Sequence, residues 1–468
     1  MSALPDGFTV RLGRRTSVRD DGGVLVGGAP TRVLRLTPAA RARLHGREVV
    51  VTDAAGRALA ELLMDAGVAE PVAASLPGIP LAELTVVVPV HDRPGMLDRL
   101  LASLPAGPAA VIVVDDASAD AATTAEVAAR HGARLVRLAE NQGAAAARNA
   151  GLGLVQTTYT AFVDSDVVVG DGCFETLLRH FADPRLALAA PRVLGLDRAR
   201  PNWITRYENA RSSLDLGDEP ASVRPRSPVS WVSSTCLVAR TSLLSTGFDP
   251  AMRVGEDVDL VWRLVDGGSR ARFEPAAVVR HEHRTHLRTW LGRKFFYGTG
   301  AAPLAARHPA DVAPAVLAPW AALALVVALA QRRWSVPVLA AVAAVVTARI
   351  AARLGHVRRP WSLAASLTGQ GMLATAAQGV ALLVRHWWPA AAAGALVSRR
   401  LRRAVVAASV LDAVWEYARL RPGLDPVRFA VARRLEDLAY GAGVWWSAVR
   451  ARSIRALLPA IVRTSTRR

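Results

Sequence analysis

An α/β fold with a mostly parallel sheet is predicted by three observations. From Leu84 onward, apolar runs of strand length alternate regularly with helical stretches, the order that builds a parallel sheet covered by helices. Three acidic clusters, Asp115-Asp116, Asp164-Ser165-Asp166 and Glu256-Asp257, accompany these runs, at the carboxyl ends where an open α/β sheet presents its ligand crevice. The length of 468 residues is too great for one core and predicts about three domains. Composition divides them: charged and apolar residues mix to about residue 310, whereas Ala, Val and Leu dominate between arginine clusters from Val312 onward.

The elements follow in order. Residues 8–12 and 31–36 alternate as strands, with Gly22-Gly23 and Gly27-Gly28 as turn signals around 24–26. Thr37-Pro38 opens a helix, the hydroxyl as N-cap and the proline at the first helical position. A second helix is expected over 54–66. A few short strands followed by helices predict a small winged-helix-like module ending near Val72, and residues 73–80, rich in Ala, Ser, Gly and Pro, read as a linker. An ordinary small packing domain is the alternative. Strands are then expected at 84–90, 110–114, 133–138 and 160–163, with helices starting near Met96, Ala122 and Ala144, in a domain covering 80–310.

Beyond it, apolar stretches lie at 315–330, 334–348, 361–384 and 387–397, of which the third alone reaches the roughly 20 residues needed to cross a bilayer. Residues 311–400 are expected to be membrane-inserted helices, with a buried soluble helical domain as the alternative. If all four cross, the arginines at 349–359 and 399–403 fall on the side of the α/β domain, which puts that domain on the cytoplasmic face of the cell membrane. Residues 401–468, with Trp415, Tyr417, Phe429, Trp445 and Trp446 among many arginines, read as a basic amphipathic helical tail on the membrane surface.

The net charge of +19 is almost wholly arginine, since Lys294 is the sole lysine. These arginines flank apolar segments and form no polar stripe with interleaved aromatics, which argues for membrane lipid and against nucleic acid as a partner. Two cysteines, Cys173 and Cys236, are too few for a disulfide framework or a metal cage, so reduced thiols in a cytosol-facing protein are expected. Met1-Ser-Ala-Leu-Pro-Asp shows no basic region followed by an apolar one, so no cleavable signal peptide is expected.

Four motifs carry the chemistry: Val87-Val88-Pro89; Val113-Val114-Asp115-Asp116-Ala117-Ser118; Phe162-Val163-Asp164-Ser165-Asp166; and Gly255-Glu256-Asp257-Val258-Asp259-Leu260, followed by His281 and His283. As an ordered set they resemble the family 2 glycosyltransferases. The resemblance covers about residues 84–300 and implies a GT-A nucleotide-diphospho-sugar transferase domain with a Rossmann-like sheet, moving a sugar from a nucleotide donor with inversion.

The residues can be weighed beside that resemblance. A carboxylate after the second strand can accept the imide proton of uracil; the resemblance puts this contact on Asp116, with Pro89 also at the donor, while a helix N-cap is as good a reading of either aspartate alone. In Asp164-Ser165-Asp166, alternation turns both carboxylates to one side, where one can reach ribose and the other a divalent cation, Mg²⁺ or Mn²⁺. By resemblance Asp166 is the principal metal ligand and Asp164 its partner, although Asp-x-Asp in isolation is more often a turn or cap. Arg148, in the helix opened by Asn141-Gln142-Gly143, can balance donor charge, while the small residues around it serve close helix–sheet packing.

Glu256-Asp257 precedes a helical pattern. The resemblance makes Asp257 the general base that deprotonates the acceptor hydroxyl and leaves Glu256 to position the acceptor, a helix-capping role being compatible. His281, preferred to His283, is implied as a further metal ligand, with a solvated polar turn as the alternative. Gln331-Arg332-Arg333-Trp334 is one residue too short for the Gln-x-x-Arg-Trp motif of processive polysaccharide synthases and follows, instead of preceding, an apolar segment, so a polymer exporter is not expected.

The first 72 residues are similar to the PqqD-like peptide-recognition domains of ribosomal-peptide biosynthesis. With the arginine-rich C-terminal half, the architecture resembles glycosyltransferases of peptide-derived redox cofactors. That implies transfer of glucose from UDP-glucose onto a peptide-derived acceptor, building a short β-linked glucan. A cell-envelope rhamnosyl- or galactofuranosyl-transferase on a lipid-linked acceptor is the enzyme alternative, and a membrane scaffold that binds a peptide the non-enzyme one.

Overall fold

The computed structural model describes residues 3–197 and 200–462. Two units emerge, Met1–Ala199 with Ser212–His283, and Arg200–Arg211 with Arg284–Arg468. The division therefore falls at His283, short of the change in composition near residue 310.

The first unit begins with strands β1 (Thr9–Leu12), β2 (Ser17–Arg19), β3 (Val24–Gly27) and β4 (Arg32–Arg35), helix α1 (Pro38–Ala42), β5 (Glu48–Val50), α2 (Ala54–Asp65) and β6 (Ala69–Pro71). Thr37 caps α1 as expected, its hydroxyl accepting from the Ala40 N–H, and Asp53 caps α2 through Gly56 N–H. Strands β5-β1-β6 form one antiparallel sheet and β2-β3-β4 another. Strands β2, β5 and β6 are additional to the expected ones; at three residues each they are too short for alternation to register. Phe8, Val10, Leu25, Val49, Leu63 and Met64 fill the core. The stretch read as a linker is packed: Leu76 belongs to that core, and its carbonyl accepts a 2.6 Å bond from Arg179.

The α/β region follows as β7 (Leu84–Val90), α3 (Pro94–Ser103), β8 (Ala110–Asp115), α4 (Ala121–Arg130), β9 (Arg134–Arg137), α5 (Ala144–Leu152), β10 (Tyr159–Val163), β11 (Val167–Val169), α6 (Cys173–Arg179), β12 (Leu186–Gly195), α7 (Trp203–Arg211, in the second unit), β13 (Ala221–Ser222), β14 (Cys236–Arg240), α8 (Glu256–Asp266) and β15 (Arg270–His281). The sheet order is β11-β15-β12-β14-β10-β7-β8-β9, with β13 beside β15. Strands β10, β7, β8 and β9 are mutually parallel, whereas β14 runs against both β10 and β12, so the sheet is mixed. All seven residues of β7 are buried, as expected of a strand covered on both faces. Helix α5 lies close on the sheet because a Cβ at Gly151 would meet Val87 Cγ1 at 2.4 Å.

The second unit holds α7 together with α9 (Leu287–Thr299), α10 (Ala301–Arg307), β16 (Val316–Leu317), α11 (Pro319–Ala330), α12 (Ser335–Arg353), α13 (Pro360–Ala381), α14 (Trp388–Val397), α15 (Arg399–Leu420), α16 (Pro426–Arg450) and β17 (Ala460–Ile461). Among the described residues, two helical stretches are long and apolar enough to cross a membrane, Ser335–Arg353 of 19 residues and Pro360–His386 of 27. The first corrects the expectation that 361–384 alone has the length, since the helix continues past Ala348 through Arg349 to Arg353, arginine being a good helix former that ends an apolar run without ending a helix.

The reading of 401–468 as a surface amphipathic tail is corrected for α16. This helix buries Phe429, Arg433, Glu436 and Asp437 and packs on α9. Glu436 accepts from Tyr207 Oη at 2.6 Å and pairs with Lys294 Nζ at 3.2 Å, which also meets Glu208 at 2.9 Å. Buried carboxylates are tolerated here because each faces cations or donors.

Backbone-to-backbone approach of α9 and α16 needs glycine. A Cβ on Gly443 would lie 2.0 Å from the Phe295 carbonyl oxygen. Gly443→Ala is therefore expected to cost about 1–3 kcal/mol or more through overpacking, read as a lower melting temperature; an unchanged value would mean that the helices separate without penalty.

Candidate functional site

Strand direction assembles the site. β7, β8 and β10 run parallel, so the loops after Val90, Asp115 and Val163 leave one edge of the sheet. β14 runs against β10 and brings Ser233-Ser234-Thr235 to that edge, where Asp164 N–H donates to the Thr235 carbonyl at 3.0 Å. β12 runs against β14, and β15 runs parallel to β12, so β15 ends there with His281.

The first two loops are bolted together. Asp92 N–H donates to Ser118 Oγ at 2.9 Å, Ala119 N–H donates to Asp92 Oδ1 at 2.7 Å, and His91 Nδ1 lies 2.8 Å from the Asp116 carbonyl oxygen. Pro89 lies past the end of the β7–β10 ladder, which stops at Val87↔Phe162, so its missing N–H costs that ladder nothing. The buried Asp115 accepts from Ser118 N–H and pairs with Arg137. Asp116 accepts from Gln142 N–H at 2.7 Å and Gly143 N–H at 2.8 Å. Neither is the N-cap of α4, which is Asp120 accepting from Thr123 N–H. Gly143 holds φ +91 at the start of α5, a conformation side chains resist, which lets consecutive amides turn toward the Asp116 carboxylate.

Asp164 and Asp166 flank the turn between β10 and β11, with Val167 N–H donating to the Asp164 carbonyl. Asp166 Oδ2 accepts from Arg93 Nη1 at 2.6 Å and lies 3.5 Å from His281 Nε2. The buried Nδ1 of His281 has no hydrogen-bond partner among the described residues. His283 sits on the next outward position, its ring centroid 6.1 Å from that of His281, and is buried. Carboxylate oxygens beside an imidazole with one unpartnered nitrogen are donor types that suit a hard divalent ion.

Arg148, expected at the donor, bridges two protein carboxylates instead: Nη2 donates to Asp164 at 2.6 Å and Nη1 to Glu256 at 2.9 Å, with the side chain 3% exposed. Burial alone would lower this guanidinium, but Asp164 and Glu256 raise it above its ordinary value. The bridge ties the third motif to the fourth. Glu256 and Asp257 open α8 behind Gly255, which holds φ +82. Asp257 accepts from Ser234 N–H at 3.2 Å and from Val258 N–H at 2.8 Å. Burial and the neighbouring Glu256 raise its carboxyl to about 6 against the pull of these amides and of Arg148.

The structure thus brings together Asp164, Asp166, Arg148, Glu256, Asp257 and His281, and joins Asp116 to Gln142-Gly143 one strand away. Sequence reasoning missed Arg93, which no spacing marks, and Ser234, whose contribution is a backbone amide that any residue type supplies.

Known proteins similar to this chain in sequence include glycosyltransferases. The family described as Glycosyl transferase family 2 matches residues 85–244. The pre-mycofactocin glycosyltransferase of Mycobacterium tuberculosis is 42% identical over 468 residues, covering 98% of this chain and 98% of that protein. The succinoglycan biosynthesis protein ExoO of Rhizobium meliloti is 33% identical over 178 residues, covering 36% of this chain and 50% of ExoO. Among solved structures, the mannosyltransferase PcManGT from Pyrobaculum calidifontis, in complex with GDP-Man and Mn2+, covers 64% of this chain and 87% of its own at 19% identity and a TM-score of 0.37. With its GT-A domain in the first unit and near-complete coverage of the mycobacterial relative, the chain belongs to the pre-mycofactocin glycosyltransferases of glycosyltransferase family 2.

Proposed function

We propose that this enzyme transfers a glucosyl group from UDP-glucose, with inversion at the anomeric carbon, to a peptide-derived acceptor of the mycofactocin pathway. The observation that carries the reading is Asp257: a carboxylate raised to about 6, held by two backbone N–H groups, and joined through Glu256, Arg148 and Asp164 to the strand end that carries Asp166. A base with that affinity is ionised at neutral pH yet still attracts a proton. It takes the proton of the acceptor hydroxyl; the oxygen forms a bond to the anomeric carbon as the bond to the β-phosphate breaks, and UDP leaves from the opposite face.

Arg148 keeps Asp164 and Glu256 in place. Asp116, its carboxylate oriented by the Gln142 and Gly143 amides, meets the uracil, and Pro89 lines the donor edge. Asp166, with Asp164 and His281, would hold Mg²⁺ or Mn²⁺, which supplies neutralisation of the departing diphosphate. Identity over the whole length of the mycobacterial relative, whose name specifies pre-mycofactocin, supports the acceptor class. Residues 1–79 act as the peptide-recognition module, 80–310 as the catalytic domain, 311–400 as membrane-inserted helices with catalysis on the cytoplasmic face, and the exposed arginine-rich part of 401–468 as a lipid contact.

Assay of the purified chain against a panel of sugar nucleotides tests the reading, with the anomeric configuration of the product read by NMR. Transfer from UDP-glucose with inversion is expected; preference for a rhamnosyl or galactofuranosyl donor, or retention, would overturn it. Asp166→Asn, and the wild type in excess chelator, should each lose on the order of 10²-fold or more in turnover. Full activity of either removes the metal assignment.

A further inference from the structure

Arg93 is not among the residues that sequence reasoning assigned, yet it makes a direct ion pair with the principal metal candidate, Nη1 to Asp166 Oδ2 at 2.6 Å. Its position is firm and its side chain is not enclosed. The preceding residue, Asp92, sits at φ +53 with its amide on Ser118 Oγ and its carboxylate on Ala119 N–H, and the following residue, Pro94, is the first residue of α3. The Arg93 side chain remains 31% exposed, whereas that of Arg148 is 3% exposed with both terminal nitrogens engaged. Of these two arginines beside the Asp-Ser-Asp turn, Arg93 alone is free to exchange one anion for another.

Asp166 Oδ2 cannot serve fully as the strong acceptor of a guanidinium and as the oxygen ligand of a divalent cation, because both draw on the same charge. We infer that Arg93 is an exchange residue: it holds Asp166 in the donor-free enzyme and moves to the donor diphosphate when a cation and the nucleotide arrive together. The inference rests on the metal-dependent reading above. A guanidinium suits this task, since its planar fork matches phosphate oxygens as well as carboxylate oxygens. The firm loop means that only the side chain swings. The consequence is linkage: the cation binds weakly alone, against Arg93, and strongly with the nucleotide, whose phosphates take Arg93 away.

The test is a titration of the full-length protein with Mn²⁺, read by the electron paramagnetic resonance signal of the free ion, without and with UDP, alongside UDP affinity at saturating Mn²⁺. Arg93→Gln should bind Mn²⁺ alone about two- to fivefold more tightly, the range expected for loss of a partly exposed competing ion pair. Its UDP affinity in the presence of Mn²⁺ should fall about tenfold. Arg93→Lys, which keeps the charge, should recover part of the UDP affinity. These opposite shifts separate exchange from a merely structural role, because a damaged site weakens both. Partial misfolding lowers the binding stoichiometry and leaves the affinity of the folded fraction readable. Both affinities unchanged, or both weakened, would overturn the inference while leaving metal dependence intact. Absence of stoichiometric Mn²⁺ binding to the wild type with UDP present would overturn the metal reading, and the exchange with it.

Discussion

Asp257→Asn should lower glycosyl transfer by roughly 10²–10⁴-fold, the usual worth of a positioned general base, while UDP still binds. The amide keeps the shape, and its one carbonyl oxygen can still accept from either the Ser234 or the Val258 N–H, which meet different oxygens of the carboxylate, but it cannot take the acceptor proton. The wild-type kcat/KM should fall as pH drops through about 6, where Asp257 becomes protonated. Stability should move the other way. The folded-state value lies above the ordinary carboxyl value of 3.8, so the native protein holds this proton more strongly than the unfolded chain does. The favourable contribution is then complete below about 3.8 and is lost as pH rises through about 6. At pH 7.5 the variant is free of a reluctantly ionised carboxylate but leaves one backbone N–H without its acceptor, so it should melt close to the wild type. Loss of UDP binding, or a large drop in melting temperature, would mean that Asp257 is structural and that the base lies elsewhere.

The candidate site's edge was legible because its acidic residues sit at strand ends. Apolar runs terminated by Asp115-Asp116 and by Asp164-Ser165-Asp166 announce both the strand and the place where it stops, and β8 and β10 end there. Pairing of these groups was not legible. Asp115 and Asp116 are adjacent, yet one pairs with Arg137 and the other takes two amides from the segment before α5. Such partners are set by how strands and loops meet across the sheet, which local patterns do not encode. Arg148 illustrates the same limit: its charge was visible, but burial between Asp164 and Glu256 depends on residues 16 and 108 positions away.

The C-terminal half was read by composition, and composition failed where charge is internal. The many arginines and aromatics of 401–468 read as a surface, yet Arg433 pairs with Asp437 at 2.5 Å within α16, and Phe429 is fully buried against Tyr207 and Tyr417. On α15, by contrast, the apolar side chains Val406, Val410, Leu411, Val414 and Trp415 are exposed. Sequence periodicity places α15 and α16 alike, and only packing distinguishes them.

Glu70→Gln should destabilise the first unit on the order of 3 kcal/mol, because it strips the strongest partner from a buried arginine. Arg272 on β15 is 1% exposed, donates to Glu70 of β6 at 2.5 Å, and otherwise meets Asp183 at 3.4 Å and Met64 Sδ at 3.1 Å. Glu70 also accepts from Ser222 N–H, while Asp65 at the end of α2 pairs with Arg270 at 2.8 Å and with Arg185 at 3.1 Å. The N-terminal module is thus fastened to the strand that ends at His281, and a loosely tethered recognition domain would show no such buried ion pairs. Its proposed recognition of a peptide and its structural support of β15 make separable predictions. Glu70→Gln should lower the melting temperature and donor hydrolysis together, with the acceptor KM little changed; Glu70→Gln combined with Arg272→Met should regain much of the stability, since removal of both charges leaves none buried alone. Deletion of residues 1–79 uncovers Arg270 and Arg272 and should carry the same stability loss, plus a raised acceptor KM if the module also binds the peptide. A deletion variant with unchanged melting temperature would show that the module contributes nothing to the fold of the catalytic domain.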